Sequence, residues 1–121
     1  MTVETDPAAL PDSDYHRLAD AVLASVESHI DRWLQDDVID IDAQRTGGML
    51  ELTFPNDSKI VINKQPPLHE MWLAARAGGY HYKLVDGRWH DGRENKEFFT
   101  ALSERASEQS GQALRFEPPA A

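Results

Sequence analysis

Hydrophobic residues recur at two different spacings along the chain, and each spacing predicts a different kind of element. From about residue 14 to residue 35, apolar side chains recur every three or four positions, as on an amphipathic helix. From residue 38, apolar and polar residues alternate with a period of two, which is typical of half-buried strands. The helical spacing returns between residues 93 and 109 and predicts a second helix.

Six segments with the two-residue period are separated by short runs of turn-forming residues. These segments are 38–43, 49–54, 59–63, 68–75, 80–85 and 88–90. The predicted turns are 46–48, 55–58, Gly78-Gly79 and Asp86-Gly87. Because short turns join neighbouring strands in antiparallel pairs, this order predicts an α+β fold. We expect a two-layer sandwich, with the N- and C-terminal helices packed on one face of an antiparallel sheet of about six strands.

Capping residues predict where the two helices begin and end. Asp12 or Ser13 is suited to accept backbone N–H groups at the start of the first helix. Asp91, with Glu94 three residues later, predicts that the second helix begins near residue 93. Gly111 is the predicted C-terminal stop of that helix.

The length and composition of the chain limit its class. Its 121 residues fit one domain, which we expect at 13–116 between tails at 1–12 and 117–121. No apolar run approaches the roughly 20 residues of a membrane span, and the acidic first dozen residues lack the features of a signal peptide. We therefore expect a cytoplasmic protein without membrane contact. The absence of cysteine excludes disulfides, thiolate nucleophiles and thiolate zinc sites.

The net charge of −9 is confined to one part of the chain. Residues 1–42 contain eleven acidic and two basic residues, whereas residues 43–121 contain ten of each. Such a negative field repels phosphate backbones and attracts cations or basic protein surfaces. We therefore do not expect nucleic acid as a partner.

The acidic side chains of the first helix and first strand are predicted to form one surface, which we call the acidic ridge. On a helical wheel, Asp20, Glu27 and Asp31 fall on a line separate from the apolar stripe. The complete ridge comprises Asp20, Glu27, Asp31, Asp36, Asp37, Asp40 and Asp42. Hard oxygen ligands of this kind suit iron, manganese, magnesium or calcium. The alternative is a solvated charged surface without a metal.

Motifs for catalysis are absent from the sequence. The five histidines have no known metal-ligand spacing, and no nucleophile elbow, phosphate-binding loop or dinucleotide-binding loop is present. We therefore expect that the protein is not an enzyme.

Trp72 lies in an unusual stretch of polar residues, prolines and aromatic rings at 63–82. On a strand, Trp72 shares one face with Glu70, whereas Met71 and Leu73 form the better core face. This places Trp72 on the open face of the sheet, together with Asn63. An exposed tryptophan beside amide side chains is typical of an interface hot spot. The alternative is that Trp72 covers neighbouring strands as a lid.

Three runs of residues carry a resemblance to a known family. They are N-K-Q-x-P…W-L-A followed by G-G-Y-H-Y, S-D-Y-H-R-L-A-D, and T-F-x-N-x-S-K-I-V-I-N. In these runs the chain resembles the frataxin family, and within it the bacterial CyaY branch. The resemblance covers roughly residues 14–116.

The resemblance implies a small iron-binding regulator or iron chaperone of iron–sulfur cluster assembly, which binds Fe²⁺ or Fe³⁺ weakly. It also implies docking on the complex of cysteine desulfurase and the iron–sulfur scaffold protein. The implied metal ligands are Glu27, Asp31, Asp36, Asp37, Asp40 and Asp42. The implied partner-binding residues are Asn63, Gln65, Pro67 and Trp72. We expect a monomer that could form an iron-dependent oligomer.

Two positions on the first helix differ from the pattern of the family. Ser28 and Arg32 stand where bacterial relatives usually have the second acid of a pair. We therefore expect iron binding to centre on the helix end and the first strand.

Other functions remain compatible with these residues. In the main alternative, the acidic ridge docks a basic surface of the desulfurase, and the protein is purely an interaction module with incidental iron binding. The two hypotheses differ in salt dependence, because docking through exposed charges weakens as ionic strength rises. An iron-oxidising enzyme would need a defined site with open coordination positions, and the sequence suggests no tight ligand cluster.

Overall fold

The computed structural model describes residues 10–119 and contains two long helices and a six-stranded sheet. The elements are α1 (Asp12–Gln35), β1 (Asp42–Thr46), β2 (Met49–Thr53), β3 (Lys59–Gln65), β4 (Glu70–Ala75), β5 (Gly78–Val85), β6 (Arg88–Asp91) and α2 (Phe98–Ser110). A short 3-10 helix, Pro66–Leu68, separates β3 from β4. Most of the predicted N-terminal tail and the last two residues of the predicted C-terminal tail lie outside the described residues.

The sheet is antiparallel throughout, and its strands lie side by side in chain order. One buried cluster joins it to both helices. Leu50, Ile62 and Leu73 of the sheet are at most 1% exposed, as are Val22 of α1 and Leu102 of α2. The buried strand residues alternate with partly or fully exposed ones, so the helices cover one face and leave the other open. The predicted α+β two-layer sandwich is confirmed.

The prediction that the first strand covers 38–43 is wrong, because β1 begins only at Asp42. Asp42 lies opposite Thr53, the last residue of β2, so no partner strand extends past this point. The preceding chain leaves α1 through Asp37, which has a left-handed backbone with φ 57°. Ile41 is still buried between two exposed aspartates. This burial explains why the sequence alternates here as it would in a strand.

The predicted turn at Gly78-Gly79 is also displaced. The chain turns at Arg76-Ala77, and both glycines belong to β5. With this turn, Trp72 lies directly opposite His81. A turn two residues later would shift the register of the hairpin and remove this pair.

The predicted caps at the starts of both helices are wrong. Pro11 occupies the cap position of α1, which has no side-chain cap hydrogen bond. Helix α2 begins at Phe98, and the carboxylate of Glu97 accepts from the backbone N–H groups of Phe99 and Thr100 at 2.9 and 3.0 Å. Glutamate is not a preferred cap residue, so the sequence pattern does not single out Glu97.

Asp91, the predicted cap, is instead buried at the end of β6. It accepts the backbone N–H of Arg93 at 3.0 Å and so closes a turn before the helix. The predicted stop at Gly111 is confirmed, since this residue ends α2 with a left-handed φ of 78°.

The segment after α2 is anchored between the two helices. Leu114 and Phe116 are buried, and the backbone N–H groups of these residues donate to Ser107 and Ser103 at 2.9 Å each. On the other side, Ser25 of α1 donates to the carbonyl of Glu117 at 3.1 Å. Serine side chains thus accept the backbone N–H groups that would bond to a neighbouring strand if this segment were part of the sheet.

Replacing Glu97 with alanine should destabilise the protein by about 1 kcal/mol, because two backbone N–H groups of α2 lose their acceptor. Glu94→Ala is the matched control, since Glu94 lies in the turn before the helix. Urea unfolding of both variants measures the difference. Equal loss in both variants would show that Glu97 is not the cap.

Tyr15 is expected to make the stability of the protein sensitive to alkaline pH. Its hydroxyl donates to the backbone carbonyl of Glu70 at 2.7 Å, and burial raises the pKa of this tyrosine to about 12. An unfolded tyrosine has a pKa of about 10. Stabilisation from Tyr15 should therefore be complete below about pH 10 and decline as the pH rises towards about 12.

Tyr15→Phe should lose about 1 kcal/mol of stability at neutral pH, because the carbonyl of Glu70 loses its donor. The variant should then show a smaller further decline than the wild type between about pH 10 and 12. Urea unfolding at several pH values measures both effects, with Tyr80→Phe, at a partly buried tyrosine, as the control. The same alkaline decline in Tyr15→Phe and wild type would contradict the assignment.

Candidate functional site

The open face of the sheet brings together three of the four residues predicted to bind a partner. Register places Asn63, Trp72 and His81 in one row across β3, β4 and β5. Gln65 lies on the same face, opposite Glu70 in the next row. We call the surface formed by Asn63, Gln65, Trp72 and His81 the docking face.

Pro67, the fourth predicted partner-binding residue, is not on a strand. It is exposed in the 3-10 helix that follows Gln65, beside Leu68, whose side chain is also exposed. Two consecutive prolines lack N–H groups, so β3 cannot continue its ladder through them. The chain re-enters the sheet after His69, which has a left-handed φ of 52°. Pro67 therefore lies on the turn next to the docking face.

Trp72 is held in one orientation by two neighbours on this face. Its ring stacks on that of His81, with 4.1 Å between the centroids and 4° between the planes. Its indole Nε1–H donates to Oε1 of Glu70 at 2.7 Å. The ring of Trp72 is half-buried, and the His81 side chain stacked on it is 59% exposed, so part of the indole surface stays accessible. Trp72 thus combines features of the hot-spot and lid interpretations.

Glu70 is an acidic residue that is only 7% exposed. Desolvating a carboxylate is costly unless donors or positive charges compensate. Besides the indole of Trp72, its oxygens lie 3.7 Å from Nζ of Lys83 and 3.8 Å from Nδ1 of His81. Its backbone carbonyl accepts the hydroxyl of Tyr15 from the helix side. Glu70 therefore connects α1 to the position of Trp72.

A shallow hollow of about 220 Å³ opens beside Trp72. Val61 and Ala74 line it, and Gly79, directly opposite Ala74, contributes no side chain. Met49 at its rim is 38% exposed. The docking face therefore has an apolar depression next to a fixed aromatic ring, which is a shape that can receive an apolar side chain.

Two residues of the helical part of the acidic ridge are already paired with basic side chains. Oε1 of Glu27 accepts from Nη1 of Arg45 at 2.7 Å. Oδ1 of Asp20 lies 2.7 Å from Nζ of Lys64 and 3.7 Å from Nη2 of Arg45. Arg45 and Lys64 project from the helix side of the sheet, so these pairs tie α1 to β1 and β3.

The remaining predicted metal ligands are exposed. Asp31 lies on α1, whereas Asp36 and Asp37 lie at its C-terminal end. This end carries the negative pole of the helix dipole, so the two carboxylates add to a potential that is already negative. Cations are favoured at such a place.

Asp40 and Asp42 complete the ridge near the edge of the sheet. Asp40 precedes β1, and Asp42, its first residue, lies opposite Thr53. The ridge therefore continues from the helix layer to the edge strand. Among residues 10–119, no three histidine or acidic side chains converge closely enough to hold a metal ion. In this geometry the ridge is a surface of separate carboxylates.

Three further residues of these surfaces were not identified as functional from the sequence. Glu70 could have been found from its two-residue spacing to Trp72 on one strand. His81 could not, because its position depends on the turn that sets the β4–β5 register. Arg45 carried no signal, since its partners are 18 and 25 residues away.

No helix within the described part of the chain is long and apolar enough to cross a membrane.

Comparison with known proteins relates most of the chain to one family. Residues 8–112 match the family model for the frataxin-like domain. The iron-sulfur cluster assembly protein CyaY of Polaromonas sp. (strain JS666 / ATCC BAA-500) is 50% identical over 110 residues, which are 91% of this chain and 95% of the relative. The protein of the same name from Burkholderia mallei (strain SAVP1) is 50% identical over 107 residues, covering 88% and 98% of the two chains.

Solved structures show the same fold. Frataxin from Psychromonas ingrahamii is 36% identical, with a TM-score of 0.78, and the match covers 89% of this chain and 99% of that one. A trimeric frataxin from the yeast Saccharomyces cerevisiae, complexed with ferrous iron, is 27% identical, with a TM-score of 0.60 and coverage of 93% and 94%.

Proposed function

The chain belongs to the frataxin-like family, and from this premise we propose that it acts in iron–sulfur cluster assembly as a weak iron-binding regulator or iron chaperone. Relatives that are 50% identical over most of the chain carry the name of cluster assembly proteins. The related yeast protein has been observed with ferrous iron. In this proposal the protein binds and regulates, and it has no catalytic role of its own.

The observation that carries the docking part of the proposal is the fixed orientation of Trp72. Its ring is stacked and hydrogen-bonded before any partner arrives, so little side-chain entropy is lost on binding. Asn63 and Gln65 on the neighbouring strand β3 offer amide donors and acceptors, and the hollow beside the ring can receive an apolar group. The proposed partner is the complex of cysteine desulfurase and the scaffold protein.

The acidic ridge is the proposed site of weak iron binding. Exposed carboxylates are hard ligands suited to Fe²⁺ and Fe³⁺, and Asp36 and Asp37 lie at the negative end of a helix. Because the carboxylates are separate, an ion would keep most of its water and bind weakly. Further ligands would come from α1 before its end, through Glu27 and Asp31, and from the chain that follows it, through Asp40 and Asp42. The yeast relative with ferrous iron is a trimer. As a further proposal, iron also promotes the assembly of this protein into oligomers.

A second candidate function is a pure interaction module, in which the ridge binds a basic surface of the desulfurase. The observation that favours it is that Asp31, Asp36 and Asp37 are exposed, while no three acidic or histidine side chains among residues 10–119 converge closely enough to hold a metal ion. Exposed carboxylates can accept guanidinium and ammonium groups of a partner one by one, without sharing an ion. Under this function, affinity for the complex falls steeply with salt and does not depend on iron.

Trp72→Ala should weaken binding to the desulfurase–scaffold complex about thirtyfold or more, because truncating a central interface aromatic typically costs about 2 kcal/mol or more. The melting temperature should fall by only a few degrees, since a half-buried stacked ring contributes about 1 kcal/mol. Affinity is measured by calorimetry and melting by circular dichroism.

Leu34→Ala is the control for this experiment, because Leu34 is a large apolar residue of α1 that is 52% exposed and lies away from the sheet. It should leave affinity unchanged. Unchanged affinity in Trp72→Ala, or a large fall in its melting temperature, would favour the lid interpretation over docking.

Asp36→Asn combined with Asp37→Asn should weaken ferrous iron binding several-fold, since two negative charges leave the end of α1. Anaerobic calorimetry with Fe²⁺ measures the change. Asp57→Asn combined with Asp86→Asn removes the same charge from two hairpin turns and serves as the control. Equal affinity of the Asp36/Asp37 variant and the wild type would show that iron does not bind at the helix end.

A further inference from the structure

Arg45 occupies a central position in the helical part of the acidic ridge. It projects from β1 on the helix side, opposite the buried Leu50. Its guanidinium bonds Glu27 at 2.7 Å and lies 3.7 Å from Asp20. Arg45 and Glu27 are each about one-third exposed, so the pair is partly shielded from solvent. One side chain therefore pairs with two acids that lie about two turns apart on α1.

The paired acid is half of a potential chelating pair. Glu27 and Asp31 are four residues apart on α1, so their side chains lie on one face with about 5–6 Å between their Cβ atoms. Two carboxylates at this spacing can share one hydrated divalent cation. In this structure the guanidinium of Arg45 holds Oε1, one of the two oxygens that Glu27 could supply, at 2.7 Å.

We propose that Arg45 is an internal counter-ion that keeps the affinity of the acidic ridge for divalent iron low. A ferrous ion that approaches Glu27 must displace the guanidinium and is repelled by its charge. This inference rests on the proposed function, because it concerns iron at the same ridge. It assigns to Arg45 a role that none of the proposed ligands has, which is to set how tightly the helical carboxylates bind.

Lys64 is a weaker candidate for this role. Its ammonium bonds Asp20, which is outside the proposed ligand set, and its side chain is only 10% exposed. Within residues 10–119 its ammonium pairs with Asp20 and with neither Glu27 nor Asp31, so its loss would free no proposed ligand. The assignment therefore concerns Arg45 alone.

Anaerobic calorimetry with Fe²⁺ alone tests the proposal on the full chain. Arg45→Gln should tighten binding roughly three- to tenfold, because one positive charge leaves the site and one carboxylate becomes available. Lys59→Gln is the matched control. It removes one positive charge that pairs with Glu51 on the open face of the sheet, and it should change affinity little.

Two further variants keep the proposal falsifiable. Arg45→Lys retains the positive charge and should bind close to wild-type affinity, even if Arg45→Gln proves unstable. In the background of Arg45→Gln, Glu27→Gln should abolish the gain, because the released carboxylate is gone. Thermal melting of each variant establishes that it is folded.

The outcomes separate this inference from the proposed function. If the wild type binds Fe²⁺ and Arg45→Gln binds it no more tightly than Lys59→Gln does, Arg45 does not set the affinity. That result would overturn the role of Arg45 and leave iron binding at the ridge intact. A gain that survives Glu27→Gln would overturn the release of Glu27 as its cause. No iron binding in either wild type or Arg45→Gln would overturn both the inference and the iron-binding part of the proposed function.

Discussion

Glu70 makes the contact on which both functional surfaces depend. On the helix side, its backbone carbonyl accepts the hydroxyl of Tyr15, which fixes the N-terminal half of α1 against β4. On the open side, its carboxylate accepts the indole N–H of Trp72. The same residue therefore positions the helix that carries much of the acidic ridge and the aromatic ring that dominates the docking face. The indole N–H of Trp72 and the ammonium of Lys83 offset part of the cost of burying this side chain.

Unbalanced negative charge is the second constraint on the molecule. The acidic ridge concentrates carboxylates on one side of α1 and at the edge of the sheet, where mutual repulsion opposes folding. Arg45 and Lys64 relieve part of this repulsion by bonding Glu27 and Asp20. At the end of α1 the helix dipole is negative, and the last turn carries one basic residue, Arg32, against the two acids Asp36 and Asp37. The protein thus keeps a region that attracts cations while its helix–sheet contact stays stable.

The sequence was sufficient to predict the architecture because each strand carries a clear two-residue alternation and each turn is short. It failed where a long-range contact decides the outcome. The extent of β1 is set by the end of β2 at Thr53, and the start of α2 is set by Glu97, which is an unusual cap. The position of His81 directly opposite Trp72 depends on a turn at Arg76-Ala77 that carries no glycine or proline. The resemblance to a family indicated which residues belong to the two surfaces. Tertiary packing determines where their side chains lie, and the sequence pattern does not show this.

In the proposed function, iron contacts the acidic ridge, whereas proteins bind the docking face. Amide NMR of the unmodified protein, titrated with ferrous iron under anaerobic conditions, tests it most directly. Paramagnetic broadening should be confined to residues 27–42 and should leave Asn63, Trp72 and His81 sharp. Broadening centred on the docking face, or none anywhere at millimolar iron, would contradict the account.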